Sequence, residues 1–220
     1  MQPCHGILFY LLFKEQNREF GNNLLILYPY FEVQELIMAN TNEEFEKIIA
    51  LCRDLYIKKL QDYGAAWRIL RATSVTDQIL IKAERIRSLQ EKKEALVDEG
   101  ITPEFIGIVN YGIMALIQLE LGHAHASDLT VEQATAYYDK YATLALELMK
   151  KKNHDYDEAW RSMRISSYDD LILMKIHRTK ELEDHQGKAQ VSEGVDANYL
   201  DMINYAVFAL IKLELENTPQ

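Results

Sequence analysis

The chain has 220 residues, of which 48% are hydrophobic and 26% charged, and its formal net charge is −10. These values exclude a largely disordered chain, and the acidic balance argues against a partner that is polymeric DNA or RNA. Two cysteines are too few for a disulfide framework or an all-cysteine zinc site, which fits a reducing compartment. We therefore expect a cytoplasmic protein with a sizeable packed core.

The N-terminal segment 1–37 differs from the rest of the chain because it has neither a clean helical period nor strand alternation. Its apolar run 7–13 is too short to cross a bilayer and is followed by Lys14. No basic residue precedes that run, so we expect neither a secretory signal nor a membrane partner. We expect residues 1–37 to lie outside the fold, as translated sequence upstream of a true start at Met38. The alternative is an amphipathic extension that docks on a partner.

The remainder of the chain is an internal duplication. A shift of 93 residues lays 58–89 on 151–182 with fifteen of 32 positions identical. A shift of 94 lays 99–121 on 193–215 with ten of 23 identical. Long-range identity of this kind indicates two copies of one structural unit. We name the copies repeat one and repeat two and expect them to span 41–122 and 130–216.

Each repeat is predicted to form three helices. The predicted starts are Thr41 and Thr130 for the first helices, Ser74 and Ser167 for the second, and Thr102 and Asp196 for the third, all of them capping residues. The third helices are apolar around most of their circumference, which is typical of central, buried helices. We therefore predict an all-α fold in which two three-helix units pack as a pseudo-twofold helical bundle. Further self-association of whole chains stays open.

Polar residues interrupt the apolar third helix of repeat two. Asp201, Asn204 and Tyr205 fall on one stripe of that helix. A carboxylate in such a helix is costly unless it is paired or bound to a metal. Glu193 lies just before the helix, so Glu193 and Asp201 can share a hard cation such as Mg²⁺. The alternative is that Asp201 pairs with a basic side chain in the core.

Basic and aromatic side chains lie nearby in the sequence of repeat two. Lys175 and Arg178 are one turn apart on the second helix, and with Arg161 they can hold phosphate oxygens. Asp155 and Tyr156 precede that helix, and the Tyr156 ring can stack on a base. The alternatives are that the basic residues pair with the acidic residues of the repeat and that the rings fill the junction between helices.

The two repeats differ at the position of the candidate metal ligand. Gly107 in repeat one stands where Asp201 stands in repeat two. If Asp201 binds a metal, repeat one has lost the site and is the degenerate half, while repeat two carries the more complete motif set.

These motifs resemble a known family. The pattern Lys-x-x-Asp-Tyr-x-x-Ala-Trp at 152–160, Lys-x-x-Arg at 175–178, Glu193 and Asp-x-x-Asn-Tyr at 201–205 are similar to nucleotide-modification-associated domain 1 of bacteria and phages. The resemblance covers both repeats. It implies an all-α fold, an association with nucleotide modification and a phosphorylated small molecule as the partner. Many members carry an acidic residue four positions after the glutamate, where this chain has Ala197.

A looser architectural similarity connects the chain with all-α nucleoside-triphosphate pyrophosphohydrolases, which hold magnesium with paired acidic residues on helices. Two functions follow from these resemblances. The first is magnesium-dependent hydrolysis or processing of a (deoxy)nucleotide, with the metal on Glu193 and Asp201. The second is a non-catalytic nucleotide-binding or scaffolding module, in which the duplicated polar residues are ion pairs. The substrate contacts implied are Asp155, Tyr156, Arg161, Lys175, Arg178, Asn204 and Tyr205.

Overall fold

The computed structural model describes residues 27–92, 100–156, 158–185 and 194–216, with side chains from residue 40 onward. The chain divides into two compact parts, residues 1–41 and 42–220, and the second contains both repeats. Its helices are, in chain order, α1 (Leu27–Tyr63), α2 (Ala72–Glu91), α3 (Thr102–Leu121), α4 (Val131–Tyr156), α5 (Ile165–Asp184) and α6 (Val195–Leu210). Short 3-10 turns lie at Ala66–Ile69 and Ala159–Ser162, and a π-helical turn at Ile211–Leu215 follows α6. The predicted all-α class is confirmed.

Helices α3 and α6 form the centre of the bundle and pack against each other. Helix α2 packs on α3, α5 packs on α6, and α2 and α5 also contact each other. The central pair can approach closely at Gly112 because glycine has no Cβ. A Cβ at this position would lie 2.7 Å from Cγ1 of Ile203. Helix α3 is long and apolar enough to cross a membrane by length and composition alone, but 61% of that stretch is buried inside the bundle.

Ion pairs between α2 and α5 show the pseudo-twofold relation of the two repeats. Arg87 Nη2 donates to Asp170 Oδ1 over 2.6 Å, and Lys180 Nζ donates to Asp77 Oδ1 over 2.7 Å. The shift of 93 residues converts one pair into the other. The predicted packing of two three-helix units is therefore confirmed.

Two of the predicted helix starts are confirmed. At the start of α4, Thr130 N donates to Gln133 Oε1 over 2.9 Å and Gln133 N donates to Thr130 Oγ1 over 3.2 Å. This is the reciprocal capping box that the sequence predicts. Helix α3 begins at Thr102 as predicted, with Pro103 in the first turn, where its missing N–H has no helical partner to lose. The predicted capping role of Thr102 is wrong, because the N-cap is Ile101 and no side chain caps the helix.

The other predicted starts are wrong. Helix α1 begins at Leu27 rather than Thr41, because the intervening sequence contains only Pro29 as a breaker and proline is tolerated in a first turn. Residues 27–37 are thus helical, whereas 1–26 lie outside the described residues. Helix α6 begins at Val195 behind an extended Gly194, so Asp196 lies in the first turn and is not the cap.

The second helices of both repeats begin two residues earlier than predicted. Helices α2 and α5 start at Ala72 and Ile165, each after an extended arginine that makes no side-chain capping hydrogen bond. The preceding 3-10 turn ends in extended backbone immediately before each helix, so the entry is set by the turn. Ser74 and Ser167 consequently lie inside the first helical turn.

A buried arginine fastens the linker between the repeats. Arg68 is 2% exposed and donates through Nε to Asp128 Oδ1 over 2.8 Å and through Nη1 to the Gly122 carbonyl over 2.6 Å. Its own carbonyl accepts from Ala124 N over 2.8 Å, and its guanidinium also contacts the Gln118 side chain. The linker is therefore attached to the interior of repeat one at both a side chain and the backbone.

We expect Arg68→Ala to lower the free energy of unfolding by roughly 3 kcal/mol, because the variant removes a buried guanidinium and leaves the buried Gln118 without its charged donor. Urea unfolding measures this difference. Arg71→Ala is the matched control, since Arg71 is exposed, and it should change stability by less than about 0.5 kcal/mol. Equal losses in the two variants would contradict an anchoring role for Arg68.

A second buried charge lies between α2 and α5. Asp169 is 1% exposed, and neither carboxylate oxygen has a hydrogen-bond partner among the described residues. Burial raises its pKa to about 7; Arg87, 3.9 Å away, opposes this, while Asp170 and Glu84 add to it. The equivalent residue in repeat one is Thr76, which is uncharged.

We expect the free energy of unfolding to fall as pH rises from about 4 to about 7, by up to roughly 4 kcal/mol. The sign follows because the folded chain keeps the Asp169 proton in this range and the unfolded chain releases it. Asp169→Asn should flatten this part of the curve and be more stable than the wild type at pH 8. Urea unfolding across pH tests this, with Asp184→Asn, an exposed position on the same helix, as the control. An unchanged profile in Asp169→Asn would exclude this residue as the origin.

Candidate functional site

A pocket with a volume of about 310 Å³ opens in repeat one, between α1, the Ala66–Ile69 turn, α2 and α3. Side chains from all four elements line it, including Lys59, Tyr63, Trp67, Lys82, Asn110 and Tyr111, together with Gly107. Apart from the glycine, these positions match motif residues of repeat two through the shifts of 93 and 94. The repeat expected to be degenerate therefore contains a cavity lined by its own copy of the motif.

Two lysines contribute positive charge to this pocket. Lys82 Nζ lies 3.1 Å from Glu104 Oε2 and 6.0 Å from the centre of the Tyr111 ring. Glu104 is 4% exposed and also pairs with Arg85, so two cations neutralise it. Lys59 is exposed and forms no ion pair with any residue that the structure describes. Of the two lysines, Lys82 therefore has a carboxylate partner among the described residues and Lys59 has none.

Gly107 lies where the Lys82 side chain crosses α3. A Cβ at position 107 would lie 2.4 Å from both Cδ and Cε of Lys82. Any larger residue would push this lysine away from its present path. The glycine thus gives the pocket room and leaves the Lys82 stem against the helix backbone.

Three aromatic side chains, which we call the aromatic wall, line the pocket and differ in their exposure to solvent. Tyr63 is 57% exposed, Tyr111 is half-buried, and Trp67 is 8% exposed. Burial raises the pKa of Tyr63, and the charges of Tyr111 and Asp62 act in the same direction. The Tyr63 phenol is therefore neutral near pH 7 and available as a hydrogen-bond donor.

Asn110 is held in place behind this wall. Its Nδ2 donates to the Cys52 carbonyl over 3.1 Å, and its Oδ1 accepts from Tyr138 Oη over 2.9 Å. The Tyr138 ring stacks on Tyr56 with a centroid distance of 4.7 Å. One residue from α4 of repeat two thus fixes a pocket residue of repeat one.

In repeat two a carboxylate occupies the position that corresponds to Gly107. Asp201 is 4% exposed, its Oδ2 lies 2.6 Å from Lys175 Nζ, and its Oδ1 contacts Lys152 Nζ. These lysines are the counterparts of Lys82 and Lys59. The arrangement agrees with the alternative in which Asp201 pairs with basic side chains.

The predicted cation site has only one of its two ligands in the described part of the chain, because Glu193 lies outside it. Among the described residues, no group of three or more histidine, cysteine, aspartate or glutamate side chains is placed to hold a metal ion. Both Asp201 oxygens already contact ammonium groups, one of them on the buried Lys175. A cation at Asp201 would have to displace a lysine, so the described residues do not fit magnesium there.

Two further predicted contacts of repeat two are already engaged in ion pairs. Arg161 is held by three carboxylates, those of Glu44 at 2.6 Å, Glu158 at 2.7 Å and Glu216 at 2.8 Å. Its guanidinium is therefore not available to a phosphate without loss of these pairs. Lys175 is occupied by Asp201, as described above.

The remaining predicted contacts differ widely in exposure. Asp155 is exposed beside His154, and Tyr156 is 69% exposed at the end of α4. Arg178 is half-buried and has no ion pair within the described ranges. Asn204 is 4% exposed with no hydrogen-bond partner there, and Tyr205 packs partly buried against the core.

Sequence reasoning missed the carboxylate of repeat one. Glu104 aligns with Asn198, just as Gly107 aligns with Asp201. Each repeat thus keeps one buried acidic residue on its third helix, but the two positions are one helical turn apart. The internal alignment shows this shift of the acidic position from 201 in repeat two to 104 in repeat one. It identifies Glu104 as the partner of the basic residues on α2.

Comparison with known proteins gives one finding. The family model described as nucleotide modification associated domain 1 matches the chain twice, at residues 59–119 and 152–213. No match was found among curated proteins or among solved structures. The two matched segments follow the two repeats and together cover more than half of the sequence. The chain therefore belongs to the nucleotide modification associated domain 1 family, as a tandem duplication of that domain.

Proposed function

We propose that this chain binds a nucleotide, or a closely related phosphorylated nucleoside, in the pocket of repeat one. The observation that carries the proposal is the pairing of two lysines with an aromatic wall around Gly107. The volume of about 310 Å³ lies at the lower end of the range for small-molecule sites, which suits a mononucleotide. The description of the family associates it with nucleotides in the same way.

The charges of the pocket favour an anionic group on the ligand. Lys59 has no ion pair with any described residue, and Lys82 shares Glu104 with Arg85. A phosphate placed between the two ammonium groups gains a charge-assisted hydrogen bond from each. The cations on this wall outnumber the carboxylates, so a phosphate supplies the missing negative charge.

The aromatic wall favours a planar group beside the phosphate. Tyr63 and Tyr111 contribute aromatic rings to the pocket lining, and the half-exposed Ile69 adds apolar surface. Stacking of one base on an aromatic side chain contributes about 1–3 kcal/mol. The neutral Tyr63 phenol can also donate a hydrogen bond to a base or sugar oxygen.

A mononucleotide fits better than a polymer. The net charge of −10 repels an extended phosphate backbone. The two lysines supply a local positive charge for a single phosphate group, without a basic track that a strand would follow.

Binding is preferred to magnesium-dependent hydrolysis because the carboxylate predicted to hold the metal is occupied by two lysines. The hydrolysis prediction has its own test. The full chain is incubated with ribo- and deoxynucleoside triphosphates and Mg²⁺ or Mn²⁺, and phosphate and pyrophosphate release is measured. Turnover that is lost in Asp201→Ala but kept in Lys59→Ala would favour an enzyme centred on repeat two.

We expect Lys59→Ala to weaken nucleoside monophosphate binding at least about tenfold at low salt, while binding of the matching nucleoside stays the same. Isothermal titration calorimetry of both ligands measures the two affinities. Lys58→Ala is the matched control, because the Lys58 side chain is 66% exposed and pairs with Asp54. It should bind both ligands as the wild type does.

We expect Tyr63→Ala to weaken nucleotide and nucleoside binding by similar factors, of roughly five- to a hundredfold, because it removes a stacking surface and leaves the charge unchanged. The same titrations provide the comparison with Lys59→Ala. Absence of binding to every nucleotide in the wild-type chain, or equal affinity in all of these variants, would refute the pocket assignment.

A further inference from the structure

The two repeats place the same pair of lysines around different groups. In repeat two, Lys152 and Lys175 contact the two carboxylate oxygens of Asp201. In repeat one, the corresponding Lys59 and Lys82 line an open pocket at Gly107. Repeat one has no side chain at the position of Asp201, and the Lys82 stem crosses α3 at Gly107 instead. The carboxylate that pairs with both lysines in repeat two therefore has no counterpart in repeat one.

We infer that Asp201 is a built-in counterpart of the ligand's anionic group. Its carboxylate fills in repeat two the position that a phosphate takes between Lys59 and Lys82 in repeat one. This inference rests on the proposed nucleotide binding, and it specifies the contact: an oxyanion with two oxygens bridges the two lysines. It also follows that one chain binds one nucleotide, because the second copy of the site is closed from within.

The position of the acidic residue on the third helix explains why only one copy is closed. Each repeat has the same three basic positions, two lysines and one arginine, and one buried carboxylate on its third helix. Glu104 stands one turn earlier and pairs with Lys82 and Arg85, which leaves Lys59 facing the pocket. Asp201 stands one turn later and pairs with both lysines.

The geometry of the closed copy gives the size and charge of the group that fits. Lys175 Nζ lies 2.6 Å from Asp201 Oδ2, a charge-assisted contact, and its side chain is 7% exposed. A buried ammonium of this kind requires a counter-ion. A compact anion with oxygens a carboxylate width apart satisfies both lysines, which a phosphate ester does and an uncharged nucleoside does not.

The principal test is Gly107→Asp in the full chain, with calorimetric titration of a nucleoside monophosphate. The new side chain displaces the Lys82 stem, and its carboxylate should then pair with Lys59 and Lys82 and lower the affinity at least about thirtyfold. Gly107→Asn is the matched control, because it adds nearly the same volume without charge. We expect it to lose clearly less affinity, so that equal losses in the two variants would overturn the charge-based assignment.

The reciprocal test moves the site to repeat two. In the double variant Gly107→Asp with Asp201→Gly, the first pocket is closed and Lys152 and Lys175 are released. Inorganic phosphate should raise its melting temperature by several degrees more than that of Gly107→Asp alone, since binding to the folded state stabilises it. If the double variant does not fold, Asp201→Asn in the Gly107→Asp background keeps the volume and is measured instead. No added stabilisation by phosphate in a folded variant would overturn the inference.

The two proposals fail in different ways. Wild-type binding that persists in Gly107→Asp overturns the role of Asp201 as a counterpart and leaves nucleotide binding intact. Phosphate-dependent stabilisation of the double variant, without any nucleotide binding by the wild type, retains the anion position and overturns nucleotide binding.

Discussion

A carboxylate buried on a central helix must be neutralised, and this constraint arranges the basic side chains around α3 and α6. Glu104 and Asp201 are each only 4% exposed, so leaving either unpaired would cost several kcal/mol. Lysines and arginines from the neighbouring helices therefore turn toward these two positions. Which basic side chain is left over then depends on where along the helix the carboxylate stands. The pocket of repeat one is the result of that placement.

Much of the fold could be predicted because duplication supplies the same evidence twice. The apolar third helices were identified as central, and the capping box at Thr130 is formed as predicted. Helix starts failed where a neighbouring element determines the backbone, as for α2 and α5 behind their 3-10 turns. The buried Arg68 was missed because its partners, Asp128 and the Gly122 carbonyl, are more than fifty positions away in sequence.

For the candidate site, the sequence predicted the residues of the motif but not the repeat that contains the pocket. The motif residues were identified, but they were assigned to repeat two because that copy keeps the aspartate. A sequence motif does not distinguish a carboxylate that can bind a metal ion from one that is already paired with Lys152 and Lys175. Only the packing reveals that Gly107, read as a loss, opens a cavity. The Asp169 carboxyl was missed for a similar reason, since its burial arises from contact between two distant helices.

The covalent connection between the repeats has an evolutionary consequence. In a symmetric dimer of identical subunits, a single gene change alters both copies of a site at once, so a substitution that strengthens the core by closing a pocket also removes the function. Once the two units share one polypeptide, their positions 107 and 201 can change independently. One half can then pair both of its lysines with its own carboxylate, while the other leaves Lys59 without a carboxylate partner among the described residues. Such divergence between the two halves is thus available to a fused chain and closed to a dimer of identical subunits.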